Sequence, residues 1–151
     1  MESIQQSDRE KYCDMVPAQK GAAQLPARFL LILAAHLSLI RFDLYLANMD
    51  FELLYQKVKN YPISKKAALT KSVEAICSAV DMACIWYWKE VLCLQRSAAT
   101  VCLLRKYGVS AHLVIGAQQM PFKAHAWVEV DGRVVNDKHY VGEVYATLDR
   151  C

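Results

Sequence analysis

The chain has 151 residues, 55% of them hydrophobic and 22% charged, the size and mixture of one globular domain with a sizeable core. Its net charge of +3 is spread along the chain, without an arginine-rich tract or aromatic residues interleaved with basic ones, which argues against nucleic acid as a partner. The opening Met1-Glu2-Ser3-Ile4-Gln5-Gln6 lacks the basic flank and apolar run of a signal peptide, so the six cysteines read as thiols of a reducing cytoplasm.

Residues 1–26 are polar, mixed in charge and interrupted by Pro17 and Pro26, the composition of a loosely ordered arm. Residues 29–40 are almost wholly apolar, but twelve residues are too few to span a bilayer, and no stable membrane insertion is expected. Helical spacing continues through Leu44, Ala47, Phe51, Leu54 and Tyr55, which predicts one long or two shorter helices. Residues 1–60 are thus expected to form an arm and apolar helices that belong to, or pack on, a core made by 61–151. His36 fits a core or interface position.

Pro62 breaks this pattern, and Ser64 is the expected N-cap of a helix over 65–84, with Lys65, Lys66, Lys71 and Glu74 on its solvated face. Ile85-Trp86-Tyr87-Trp88 ends that helix or links it to the next. Residues 93–107 carry apolar positions at helical spacing, and Gly108 suits the C-terminal cap. Cys77, Cys84 and Cys102 read as small buried residues on these helices.

Beyond Gly108 the period switches to two. Val109, Ala111, Leu113 and Ile115 alternate with Ser110, His112 and Val114 in a first strand, with 116–122 as a loop. A second strand covers 124–130, Asp131-Gly132 makes a tight turn, and 133–137 returns antiparallel. Val141, Val144 and Tyr145 suit a further short strand. Helices first and an antiparallel sheet after them make an α+β fold.

Metal chemistry is not expected, because the chain has no Cys-x-x-Cys pair and no histidine pair at i, i+4, and no cofactor is expected either. Nucleophilic chemistry fits better. A thiol reacts as its thiolate, which a helix N-terminus and a neighbouring imidazolium both favour, and Cys93 opens the helix over 93–107. His125 begins the second strand and Asp137 ends its partner, so helix and strands offer Cys, His and Asp in chain order. His112 and His139 are the competing histidines, on a polar alternate position and past the hairpin. Glu129 shares a strand face with His125 but stands about 13 Å along it, beyond hydrogen-bond reach. Trp127, between them, either packs over the site as a substrate contact or fills core.

Cys93-Leu94-Gln95-Arg96-Ser97, Leu103-Leu104-Arg105-Lys106-Tyr107-Gly108, Val114-Ile115-Gly116, Pro121-Phe122, Ala124-His125-Ala126-Trp127-Val128-Glu129 and Asp131-Gly132 occur in this order. Together they resemble the transglutaminase-like leader peptidases of bacterial lasso-peptide biosynthesis, over about residues 72–146. The resemblance implies a papain-like or transglutaminase-like core with Cys93 as nucleophile, His125 as general base and acid, and Asp137 as orienting carboxylate. It also implies a substrate, the leader of a ribosomally made precursor peptide, and an ATP-dependent asparagine-synthetase-like cyclase that closes the ring afterwards. Some members carry a winged-helix domain that grips the leader. The first 60 residues here show no such pattern, so a separate winged-helix protein is the expected recognition partner. A transamidase with the same triad and a non-catalytic scaffold are the alternative functions. The Cys93 backbone N–H is the expected first oxyanion donor, and Gln95, the alternative helper, is read instead as an exposed helical residue.

Two turns fit Asp131-Gly132. A two-residue turn pairs Val130 with Arg133 and puts Asn136 on the face of His125; a three-residue loop pairs Glu129 with Arg133 and sets His125 opposite Asp137. The second register agrees with the carboxylate implied by the resemblance and is the one expected.

Overall fold

The computed structural model describes residues 24–65 and 72–151. The expected arm lies, up to residue 23, outside the described residues, as do Cys13, Lys66 and Lys71. Helix α1 spans Gln24–Ala47 and so begins inside the expected arm. It runs beyond the apolar run through Arg41 and Asp43, in keeping with the helical spacing at Leu44 and Ala47. Its segment Ala27–Ala47 has a mean hydropathy of 1.8 and is, in length and composition, enough to cross a membrane, which corrects the estimate from residues 29–40 alone. One face is nevertheless committed to the protein interior: Leu31, Ala35, Leu39 and Phe42, spaced three or four apart, are buried.

The apolar pattern resolves into two helices. Met49 takes a left-handed backbone with φ 56°, and the Asp50 carboxylate accepts from Leu53 N at 2.9 Å, capping α2 over Phe51–Lys59. Helix α3 spans Val73–Ile85 and is capped by Ser72, whose hydroxyl accepts from Ala75 N at 3.2 Å. Ser64 and Lys65 are not helical, so the cap expected at Ser64 lies eight residues later. Of the aromatic run after α3, Tyr87 is buried while Trp86 and Trp88 are exposed.

Helix α4 runs Cys93–Lys106, with Gly108 just beyond it at φ 85°, the left-handed position that glycine adopts most readily. Its small residues Ser97, Ala98, Ala99 and Thr100 are all buried, which lets neighbouring backbones approach closely. Arg105 is buried too, and its charge is met by carbonyls: Nε donates to Ala111 O at 2.9 Å and Nη1 to Val58 O at 2.6 Å. The end of α2, the end of α4 and the start of the sheet are thereby joined.

Four strands follow, β1 Ala111–Gln118, β2 Lys123–Val130, β3 Arg133–Val134 and β4 Ala146–Arg150, with the short helix α5, Val141–Val144, before the last. They form one sheet in the order β3-β2-β1-β4, and β2 is antiparallel to both β1 and β3, as β1 is to β4. The α+β class is therefore as expected. Strand β1 is displaced to 111–118 and includes Gly116, expected in a loop. Glycine belongs there because the Trp127 indole lies across it; a β-carbon at 116 would stand 2.7 Å from Trp127 Cη2. The strand expected near Val141–Tyr145 is α5 followed by β4. Helices α1, α2, α3 and α4 share one buried cluster with Ala111, Leu113, Ala126 and Val128 of the sheet. The other sheet face carries a smaller cluster of Val114, Trp127 and Val141, with Val134 and Tyr145 against it.

Candidate active site

The hairpin between β2 and β3 corrects the expected register. Val130 pairs with Arg133 and Glu129 with Val134, a two-residue turn with Asp131 at φ 50° and Gly132 at φ 74°. After Val135, whose N–H donates to Val128 O at 3.0 Å, the chain leaves the ladder. Strict alternation, which would have set Asn136 on the histidine's face, therefore stops before it applies.

Asp137 reaches the ring by this departure. His125 Nε2 lies 2.7 Å from Asp137 Oδ2, with both side chains about three-quarters covered. A carboxylate only accepts, so the contact assigns the imidazole proton to Nε2 and leaves Nδ1 as the second working nitrogen. Burial alone would raise the Asp137 carboxyl. The hydrogen bonds from His125 and from Lys138 N, with the charges of His125 and Arg96, outweigh burial and hold it below the usual carboxylate value. The His125 ring also stands 5.1 Å, centroid to centroid, from Tyr145.

Cys93 is the first residue of α4. Its N-cap, Leu92, is extended and offers no side-chain hydrogen bond, and the first turn holds no acidic residue, so no side chain caps these N–H groups. One turn later on the same helix face, Ser97 Oγ donates to Ala126 O at 2.9 Å, the residue next to His125. Cys93 is half-buried. Burial pushes the Cys77 thiol up to about 11 and Cys102 up to about 12, and it raises Cys84 and Cys151 as well, so these four persist as thiols at neutral pH.

Among the other histidines, His112 and His139 are exposed, and His36 packs against Tyr87 at 5.3 Å. Trp127 is fully buried, so it presents no surface to a substrate. Its indole fills the outer cluster, and Nε1 donates to Glu129 Oε1 at 2.9 Å. Glu129 in turn accepts from Arg150 of β4. Gln95 is 1% exposed instead of solvated, with Nε2 donating to Leu39 O at 3.0 Å. Ser97 and Asn136 also went unread as buried polar residues; the only signal was their setting among small and apolar neighbours.

An open cleft of about 380 Å³ lies beside Asp137, lined by Asp81, Arg96, Val135, Asn136 and Lys138. Arg96 is held there by Asp81, at 3.1 Å through Nε and 2.7 Å through Nη2. A more enclosed cavity of about 270 Å³ lies between α1 and Cys102, Leu103 and Lys106 of α4, two to four turns from Cys93. Among the described residues no group of three His, Cys, Asp or Glu side chains is placed to hold a metal ion.

Residues 36–149 match the transglutaminase-like superfamily. The chain belongs to that superfamily. The microcin J25-processing protein McjB of Escherichia coli is 49% identical over 45 residues, which are 30% of this chain and 22% of that protein. The chain thus matches about a fifth of that relative's length. No solved structure matches it. In this transglutaminase-like chain the superfamily match starts inside α1 and ends inside β4, so it takes in the start of α4 with Cys93, β2 with His125 and the segment that carries Asp137.

Proposed function

We propose that this chain is a cysteine peptidase that removes the leader from a ribosomally made lasso precursor peptide. The observation that carries the reading is the His125–Asp137 contact beside a helix that begins with an uncapped cysteine. In this reading the Cys93 thiolate attacks the scissile carbonyl carbon, and the Cys93 N–H donates to the oxyanion. His125 passes its proton to the leaving amine, which departs as the new N-terminus of the core peptide. Water, deprotonated by His125, then hydrolyses the thioester and frees the leader. Asp137 fixes the Nε2 proton throughout, so that Nδ1 exchanges protons with sulfur, amine and water.

The partial likeness to a microcin J25-processing protein and the superfamily match support a role in peptide processing. In this reading a separate winged-helix partner supplies the leader-binding surface. The released amine is the group that an ATP-dependent cyclase would acylate next. These reactions belong to the cytoplasm.

Mass spectrometry of a precursor incubated with the chain and its leader-binding partner tests the proposal. Two products whose masses sum to precursor plus one water are expected, whereas an amine adduct of the leader would identify a transamidase. Cys93→Ala should release no leader and Cys102→Ala should retain release; the reverse would remove Cys93 from the nucleophile's role.

A further inference from the structure

Four residues outside the proposed triad meet in one buried hydrogen-bond network, and three of them, Ser97, Ala126 and Asn136, lie close in sequence to its members. Ser97 Oγ donates to Ala126 O at 2.9 Å and accepts from Asn136 Nδ2 at 3.0 Å, while Asn136 Oδ1 accepts from Val128 N at 2.7 Å. Ser97 is 1% exposed, Ala126 4% and Asn136 7%. Each is tied to one triad member: Ser97 stands one helical turn after Cys93, Ala126 follows His125, and Asn136 precedes Asp137.

The network exists because β3 is short. With the ladder ended at Val134, the edge of β2 from Ala126 to Val128 would carry an unpaired carbonyl and an unpaired N–H in a dry interior, which is costly. Side chains from α4 and from the segment after β3 fill the two places. The same bonds therefore fix three separate pieces of chain against one another at the point where their reactive groups must converge.

We infer that Ser97 and Asn136 are positioning residues that set the mutual geometry of Cys93, His125 and Asp137, an inference that rests on the peptidase reading above. Both are buried, and both act through the segments they link. Their effect is on the approach of sulfur to imidazole, where a displacement near 1 Å costs on the order of a hundredfold in rate. Ser97→Ala removes the link between helix and strand, and Asn136→Ala removes the link between Asp137's segment and both.

The test follows leader release from the precursor and alkylation of Cys93 by iodoacetamide at pH 7, both well below each variant's unfolding midpoint. Thr100→Val serves as the control, since it removes the Thr100 Oγ1 bond to Arg96 O at 2.8 Å in the same buried helix without touching the network. Ser97→Ala is expected to lower kcat by about tenfold to a hundredfold with KM changed less than about twofold, and to slow alkylation. Asn136→Ala should do the same, and the double variant should lose less than the product of the two single losses, because the two share the Ser97–Asn136 bond. Thr100→Val should lose stability alone. If Ser97→Ala fails to fold, Asn136→Ala decides. Wild-type kcat and alkylation in the folded variants, or losses that multiply in the double variant, would overturn the inference. Retained release by Cys93→Ala would instead overturn the peptidase reading.

Discussion

Asp137 links the site to acid stability. Its carboxyl lies below its ordinary value of 3.8 in the folded chain, so its contribution is fully present above 3.8 and is lost as pH falls through the lower folded value. Wild type should therefore unfold at a higher temperature than Asp137→Asn at neutral pH, and the two midpoints should converge as pH drops below 3.8; a constant gap would mean that the carboxylate's charge is not what stabilises. The same residue marks the limit of reading single positions. Cys93 and His125 are legible because helix starts and strand alternation are local. Asp137 arrives beside the ring after the chain has left the sheet, so the contact expected from the wrong register exists by another route. Gln95 and Asn136 were unreadable for a related reason: whether a polar side chain is buried depends on partners, such as Leu39 O and Ser97 Oγ, that come from distant segments.

The helices show how a local rule can be right in kind and wrong in place. A serine before an apolar periodic run is a sound cap signal, but the serine that caps α3 is Ser72 and not the expected Ser64. Ser64 loses because its backbone N–H is engaged by Arg105 O at 2.9 Å, which holds that stretch against the end of α4. Ser72→Ala should cost about 0.5–2 kcal/mol in chemical denaturation, whereas Ser64→Ala should cost a few tenths at most. Equal losses would show that the cap assignment in the structure is incorrect. The strands follow the same logic. Period two located the β1–β2 pair, but Gly116 reads as a breaker in sequence and acts as a space for an indole in three dimensions.

Across the whole molecule, the helices-then-sheet order was legible because periodicity changes abruptly after Gly108. The start of α1 was not, since Gln24-Leu25-Pro26 closes a polar, proline-interrupted stretch that reads as an arm, yet the helix begins at Gln24. Leu39 of α1, fully buried in the main cluster, should cost about 2–5 kcal/mol when replaced by alanine, in a single unfolding transition shared with the sheet. A separate early transition would instead make residues 24–60 an independent unit. The remaining face of the same helix carries Phe29, Leu30, Leu33, Leu37 and Leu44, from 45% to 67% exposed. These side chains contribute little to the fold and much to the behaviour of concentrated solutions, where apolar patches bring molecules together. Replacing Leu30, Leu33 and Leu37 with lysine or glutamate should leave the unfolding midpoint nearly unchanged while raising the concentration at which light scattering begins. Yield and shelf life of the purified protein can thus be tuned on one side of a helix whose other side sets the folding energy.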